Sequence, residues 1–336
     1  MRTPIVGLLG LLASAPAVVA QAPPALPDAD RVRIAEAFRL ADALGDRVWP
    51  DWGKSPFVVL LVTPDREFLV RHPKPTDDFT PLGKDPTLGR EVWSRKRTYP
   101  TNLLATFPAI GGVPTVVIGQ PENTQAKTSA RWVITLLHEH FHQLQSSRPG
   151  YYADVDALGL AGGDKTGVWM LNYPFPYTDP AVRDQFAATA KALAEALRAR
   201  QKPEFAERLA SYVSARGKFK SVLKADDYKY FSFQVWQEGV ARYTEYRLAE
   251  LASAECEPSE RFRGLKDYAP FKDVARSIMD GIEKELVSVR LDKSKREVVY
   301  NIGAAECLVL DRARPGWRDR YFEEKFSLDA HFAAGK

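Results

Sequence analysis

The sequence predicts an α+β fold: a small twisted N-terminal sheet lobe, then a mainly helical lobe, with the active-site cleft between them. Two patterns support this. Residues 57–118 contain short runs of β-branched and apolar residues broken by turn formers. From Ser129 onward the apolar spacing becomes helical and stays so. The boundaries expected are a signal peptide over 1–20, a mixed α/β lobe over 21–128, and a helical lobe over 129–336 that completes one functional unit.

Met1-Arg2 is a short basic start, residues 5–20 are apolar and small, and Val18-Val19-Ala20 fits a small-residue cleavage site. The apolar stretch is too short, and too broken by Pro4 and Pro16, to span a bilayer. The mature chain is therefore expected to be soluble and secreted or periplasmic, with no membrane anchor. Residues 31–44, with Ile34, Phe38, Leu40, Ala41 and Leu44, predict a helix ending near Gly45. Residues 57–62 and 67–71 predict a β-hairpin across Thr63-Pro64-Asp65-Arg66. Residues 103–107 and 113–118 predict two more strands around Gly111-Gly112. Later helices are predicted over 131–145, 181–200, 204–222, 231–252, 274–287 and 296–312.

The 47 Lys and Arg against 43 Asp and Glu are well mixed, with no polybasic tract. That balance argues against a dedicated nucleic-acid or membrane-surface binder. In an exported chain, Cys256 and Cys307 are expected to form one disulfide, with two buried thiols as the alternative.

Three of the five histidines fall within Leu137-His138-Glu139-His140-Phe141-His142-Gln143. His138, Glu139 and His142 form H-E-x-x-H inside a predicted helix. Positions i and i+4 differ by about 40° around a helix, so both imidazoles project from one face and can share one Zn2+. Glu139 lies about 100° round from His138, near a water on the metal but not a ligand. His140 lies about 200° round and points away, so packing is its expected role.

A catalytic zinc wants a third protein ligand. Gln145 and Arg148 stand where the short metzincin pattern would place Gly and His. The best candidate is Glu238, in Trp236-Gln237-Glu238-Gly239-Val240-Ala241-Arg242-Tyr243-Thr244-Glu245. That segment is apolar nearly all round, where a carboxylate is costly unless metal-bound or paired with a basic residue. Gly239 and Ala241 would let it lie close to the His138 helix.

H-E-x-x-H followed at long range by E-G-x-A-x-Y-x-E resembles the gluzincins, notably secreted bacterial members and collagenase-like catalytic domains. The stretch from Tyr300-Asn301-Ile302-Gly303 to Leu310-Asp311, Trp317 and Tyr321 is similar as well. The resemblance implies zinc held by His138, His142 and Glu238, and an edge strand at 113–118 on which an extended peptide could pair. Glu245 is expected either to orient a ligand histidine or to make a helix salt bridge. Tyr300 is expected either to donate to an oxyanion or to pack in the core, with Tyr243, Arg242 and His331 as weaker candidates. The function expected is hydrolysis of peptide bonds in peptide or protein substrates, with Glu139 as general base. The alternatives are a zinc-holding binding or assembly protein, and a hydrolase of a non-peptide amide or ester.

Overall fold

The computed structural model describes residues 24–333; the expected signal peptide lies outside the described residues. The α+β class is borne out by one mixed sheet and many helices. Helix α1 (Asp28–Val48) buries Ile34, Phe38, Leu40, Ala41 and Leu44. Six strands follow: β1 (Val59–Val62), β2 (Arg66–Val70), β3 (Thr80–Asp85), β4 (Arg90–Lys96), β5 (Leu104–Ile110) and β6 (Val113–Gly119). Their order is β3-β4-β2-β1-β6-β5. Every neighbouring pair is antiparallel except β1 and β6, which run parallel with Val59 opposite Val116.

Local chemistry explains most of this sheet. Gly111 and Gly112 both take positive φ, 54° and 77°, as a tight type I′ hairpin requires. β3 and β4 lie beyond the sequence expectation, because their residues are mostly charged, Gly or Pro. β4 is held by pairing onto β2, and β3 by pairing onto β4. The fully buried Glu67 of β2 accepts from Arg95 Nε at 2.7 Å and from the Thr98 and Tyr99 amides at 2.7 and 2.6 Å.

The edge strand differs from expectation. Residues 113–118 were expected at the edge, but β6 is paired on both sides and the sheet ends at β5. Val116, Val117 and Ile118 are all fully buried. A strand apolar on both faces belongs inside a covered sheet. Val59, Leu61, Val116 and Ile118 join the main core with the helices, while Val58, Leu60, Leu69 and Val117 form a second core on the other face with Phe79 and Ile110.

The rest is helical: α2 (Ser129–Ser146), α3 (Tyr151–Ala157), α4 (Trp169–Asn172), α5 (Pro180–Ala199), α6 (Phe205–Ser221), α7 (Ala225–Gln234), α8 (Val240–Glu255), α9 (Glu260–Arg263), α10 (Phe271–Ser288), α11 (Leu291–Ser294), α12 (Val298–Ala313) and α13 (Asp329–Ala333). The single helix expected over 231–252 is interrupted, because Val235–Gly239 forms a π-helical turn between α7 and α8. α2 packs against β5 and β6 on one side and against α1 and α8 on the other. Among the described residues, no helix is long and apolar enough to cross a membrane.

The expected disulfide is absent: Cys256 and Cys307 are both free. α8 and α12 leave the Gly239–Gly303 contact side by side, and Tyr243 of α8 reaches Asp311 of α12. Cys256 lies seventeen positions beyond Gly239 and Cys307 four beyond Gly303. The offset of thirteen residues is about 20 Å of helix, far beyond the roughly 7 Å between Cα atoms that a disulfide bridges.

Candidate metal centre

β6 delivers the chain to α2 through Gly119, where any side chain would collide with the Thr101 carbonyl. Thr128 caps the helix, its hydroxyl accepting from the Arg131 amide at 3.4 Å. Trp132, Ile134, Leu137, Phe141 and Leu144 then anchor α2 in the main core, each no more than 1% exposed. At that burial, each large apolar side chain contributes about 1.5–3 kcal/mol. The helix is thus held rigidly enough to aim the side chains between them.

His138 and His142 project from one face, as their spacing predicts. Their Nε2 atoms stand 3.2 Å apart, and Glu238 Oε2, from the π-helical turn, lies 3.6 Å from the first and 3.4 Å from the second. Ligand atoms around a tetrahedral zinc at ordinary bond lengths are separated by about 3.3–3.5 Å. The three donors therefore fit one ion, and among the described residues they are the group of His, Cys, Asp and Glu side chains spaced to hold one.

The outer partners strengthen the fit. His138 Nδ1 lies 2.7 Å from Glu245 Oε1, though outside the angular range of a good hydrogen bond. Glu245 is in turn paired with Arg131 at 2.8 Å and Arg242 at 2.6 Å. His142 Nδ1 lies 2.7 Å from Gln145 Oε1. The Gln145 oxygen at His142 Nδ1 places a proton there and turns that Nε2 lone pair toward Glu238, an arrangement suited to a cation. Burial alone would depress the His138 pKa, yet Glu238 and Glu245 carry it up to about 9. Burial likewise opposes ionisation of Glu238, but His142, His138 and Arg296 hold its carboxyl well below the usual range.

Glu238 faces two kinds of partner. Oε2 faces the histidines, while Oε1 accepts from Arg296 at 2.7 Å. Arg296 also donates to Gln234 Oε1 at 2.9 Å and to the Tyr300 hydroxyl at 3.4 Å. Tyr300 stands at the site, its ring 6.2 Å from that of His138 and nearly parallel. Burial, with Glu238 beside it, pushes the phenol pKa up, so the Tyr300 hydroxyl keeps its proton. Glu139 lies on the β5 side. Thr106 Oγ1 is 2.9 Å from its Oε2 and 2.8 Å from its carbonyl, so one hydroxyl proton serves either acceptor.

The weaker candidates fall elsewhere. Tyr243 donates to Asp311 and His331 packs on Trp317, both away from the histidines. Arg242 supports Glu245. His140 is a packing residue, stacked on Phe57 at 3.7 Å and bonded to Gln143 at 2.9 Å. Thr106 and Arg296 were not singled out in sequence, and Gln145 and Tyr321 were named there without a role at the site. Gln145 had a signal, since it stands three positions after His142 on the same helical face; the other three are joined to the site only by folding. The larger hollows, such as one of about 450 Å3 beside Ala187 and Leu286 and one of about 590 Å3 beside Arg71 and Trp93, do not border His138 or His142. Converging donor atoms, not volume, mark a candidate metal site.

No protein-family model matches the chain, and no curated protein or solved structure matches it.

Proposed function

We propose that this chain is a zinc-dependent hydrolase of the gluzincin type, exported from the cytoplasm, that cleaves peptide bonds in peptide or protein substrates. The observation that carries the proposal is the spacing of His138 Nε2, His142 Nε2 and Glu238 Oε2 at 3.2 to 3.6 Å, with Glu139 next in sequence to the first ligand. When bound there, zinc would supply a Lewis acid that polarises the scissile carbonyl and acidifies water.

The chain's own residues do the remaining work. Glu139, steadied by Thr106, takes a proton from the attacking water and passes it to the leaving amine. Tyr300 donates to the oxyanion that develops on the carbonyl. Glu245 and Gln145 keep the Nε2 lone pairs facing inward. β5 offers a free edge, and a peptide extended along it would run beside Thr106 and so beside Glu139.

One observation favours a second reading, a metal-holding protein without turnover: His138 is only 5% exposed and His142 only 9%. Metal analysis and a peptide-library digest of purified protein separate the two. The hydrolase reading expects one zinc per chain and cleavage products, and it expects Glu238→Ala to strip most of the zinc. Zinc without cleavage of any library member leaves the binding protein or a non-peptide substrate. Full zinc occupancy in Glu238→Ala removes Glu238 as a ligand.

A further inference from the structure

The C-terminal segment after α12 reaches back into the metal centre through Tyr321. In the π-helical turn, the Val240 amide bonds Val235 O, which deprives Trp236 O of the partner it would have in an α-helix. The Tyr321 hydroxyl fills that place, donating to Trp236 O at 2.6 Å. The same hydroxyl accepts from Gln145 Nε2 at 2.7 Å, and Gln145 Oε1 faces His142 Nδ1 at 2.7 Å. Tyr321 thus ties the turn that carries Glu238 to the helix that carries His142.

This chain of bonds has one consistent polarity. A carbonyl oxygen only accepts, so Tyr321 must donate to Trp236 O. Its oxygen must then accept from the Gln145 amide NH2, which leaves Gln145 Oε1 toward His142. The histidine proton is thereby placed on Nδ1, and the Nε2 lone pair is left for a metal. We propose that Tyr321 is a positioning residue of the metal centre, setting the His142 tautomer through Gln145 and holding Glu238 in register with it. This rests on the zinc reading above. The segment is firmly seated for the task, with Tyr321 stacked on Trp236 at 4.6 Å and packed against Trp49 at 4.9 Å.

The test compares zinc affinity, by chelator competition, and the visible absorption of the cobalt(II) form across full-length variants. Tyr321→Phe keeps the ring but loses both hydroxyl bonds. Gln145 Nε2 retains longer contacts to Gln237 O at 3.2 Å and Trp236 O at 3.4 Å, so the expected loss of zinc affinity is about tenfold, with an altered cobalt spectrum. Tyr243→Phe is the control, because it loses a buried tyrosine bond in the same aromatic cluster without touching Gln145. It should lower the melting temperature and leave zinc affinity unchanged. Gln145→Leu, which removes the group facing Nδ1, should lose zinc affinity as well, and it stands in should Tyr321→Phe fail to fold. Wild-type affinity in Tyr321→Phe, or in Gln145→Leu where Tyr321→Phe does not fold, or an equal loss in Tyr243→Phe overturns the inference. A wild type that binds no zinc removes the metal reading, and this inference with it.

Discussion

Gly239 and Gly303 touch backbone to backbone. A Cβ on Gly239 would stand 2.5 Å from Gly303 Cα and 2.7 Å from Val299 O, and a Cβ on Gly303 would stand 2.9 Å from Val235 O. The sequence suggested that Gly239 lets its helix approach the His138 helix. The close approach is instead to α12, and it brings Tyr300 and Arg296 to the Glu238 side of the candidate metal centre.

Gly239→Ala and Gly303→Ala should each force the helices apart. The atoms in the way belong to the backbone and cannot swing aside, so the cost should be at least the roughly 1–3 kcal/mol typical of overpacking. Chemical denaturation measures it, and a wild-type midpoint for both variants would contradict this packing.

Glu139→Gln keeps the side-chain shape and the bond from Thr106 but cannot take up a proton. Zinc content and melting temperature should stay near wild type while cleavage falls by about 10²–10⁴-fold. An unchanged rate would remove Glu139 from the mechanism.

The cysteines should behave as thiols. Cys256 is partly exposed and Cys307 buried, with burial pushing the Cys307 thiol pKa well up. A thiol reagent should therefore label Cys256 in native protein and Cys307 only after unfolding. A linked pair in unreduced protein, seen by mass spectrometry, would reverse this assignment.

Acid should weaken the fold in part through His72. Burial holds its pKa below the ordinary 6.5. In addition, Nε2–H donates to Ile110 O and the Lys74 amide donates to Nδ1, both at 3.1 Å, so a proton on Nδ1 would break a bond. The unfolded chain binds that proton more readily, so the stability is present above pH about 6.5 and is lost as pH falls below it. The stability difference between wild type and His72→Gln should shrink from pH 7 to pH 5. A difference constant with pH would show that His72 does not titrate in this way.

H-E-x-x-H was legible because helical geometry is local. Once residues 131–145 form a helix, His138 and His142 must share a face whatever surrounds them. The α+β class and most element positions were legible for the same reason, since the apolar period is written along the chain. Glu238 stood out as a carboxylate in an apolar segment, but its division between the histidines and Arg296 was not visible. Only the tertiary structure decided that β5 is the free edge, that the cysteines lie apart, and that Thr106 reaches Glu139 while Gln145 and Tyr321 reach His142 and the turn carrying Glu238. Those outcomes depend on which backbones can approach closely, as at Gly239 and Gly303, and on where the π-helical turn leaves a carbonyl needing a donor. Such contacts join residues far apart in the chain, and no period or spacing along the sequence encodes them.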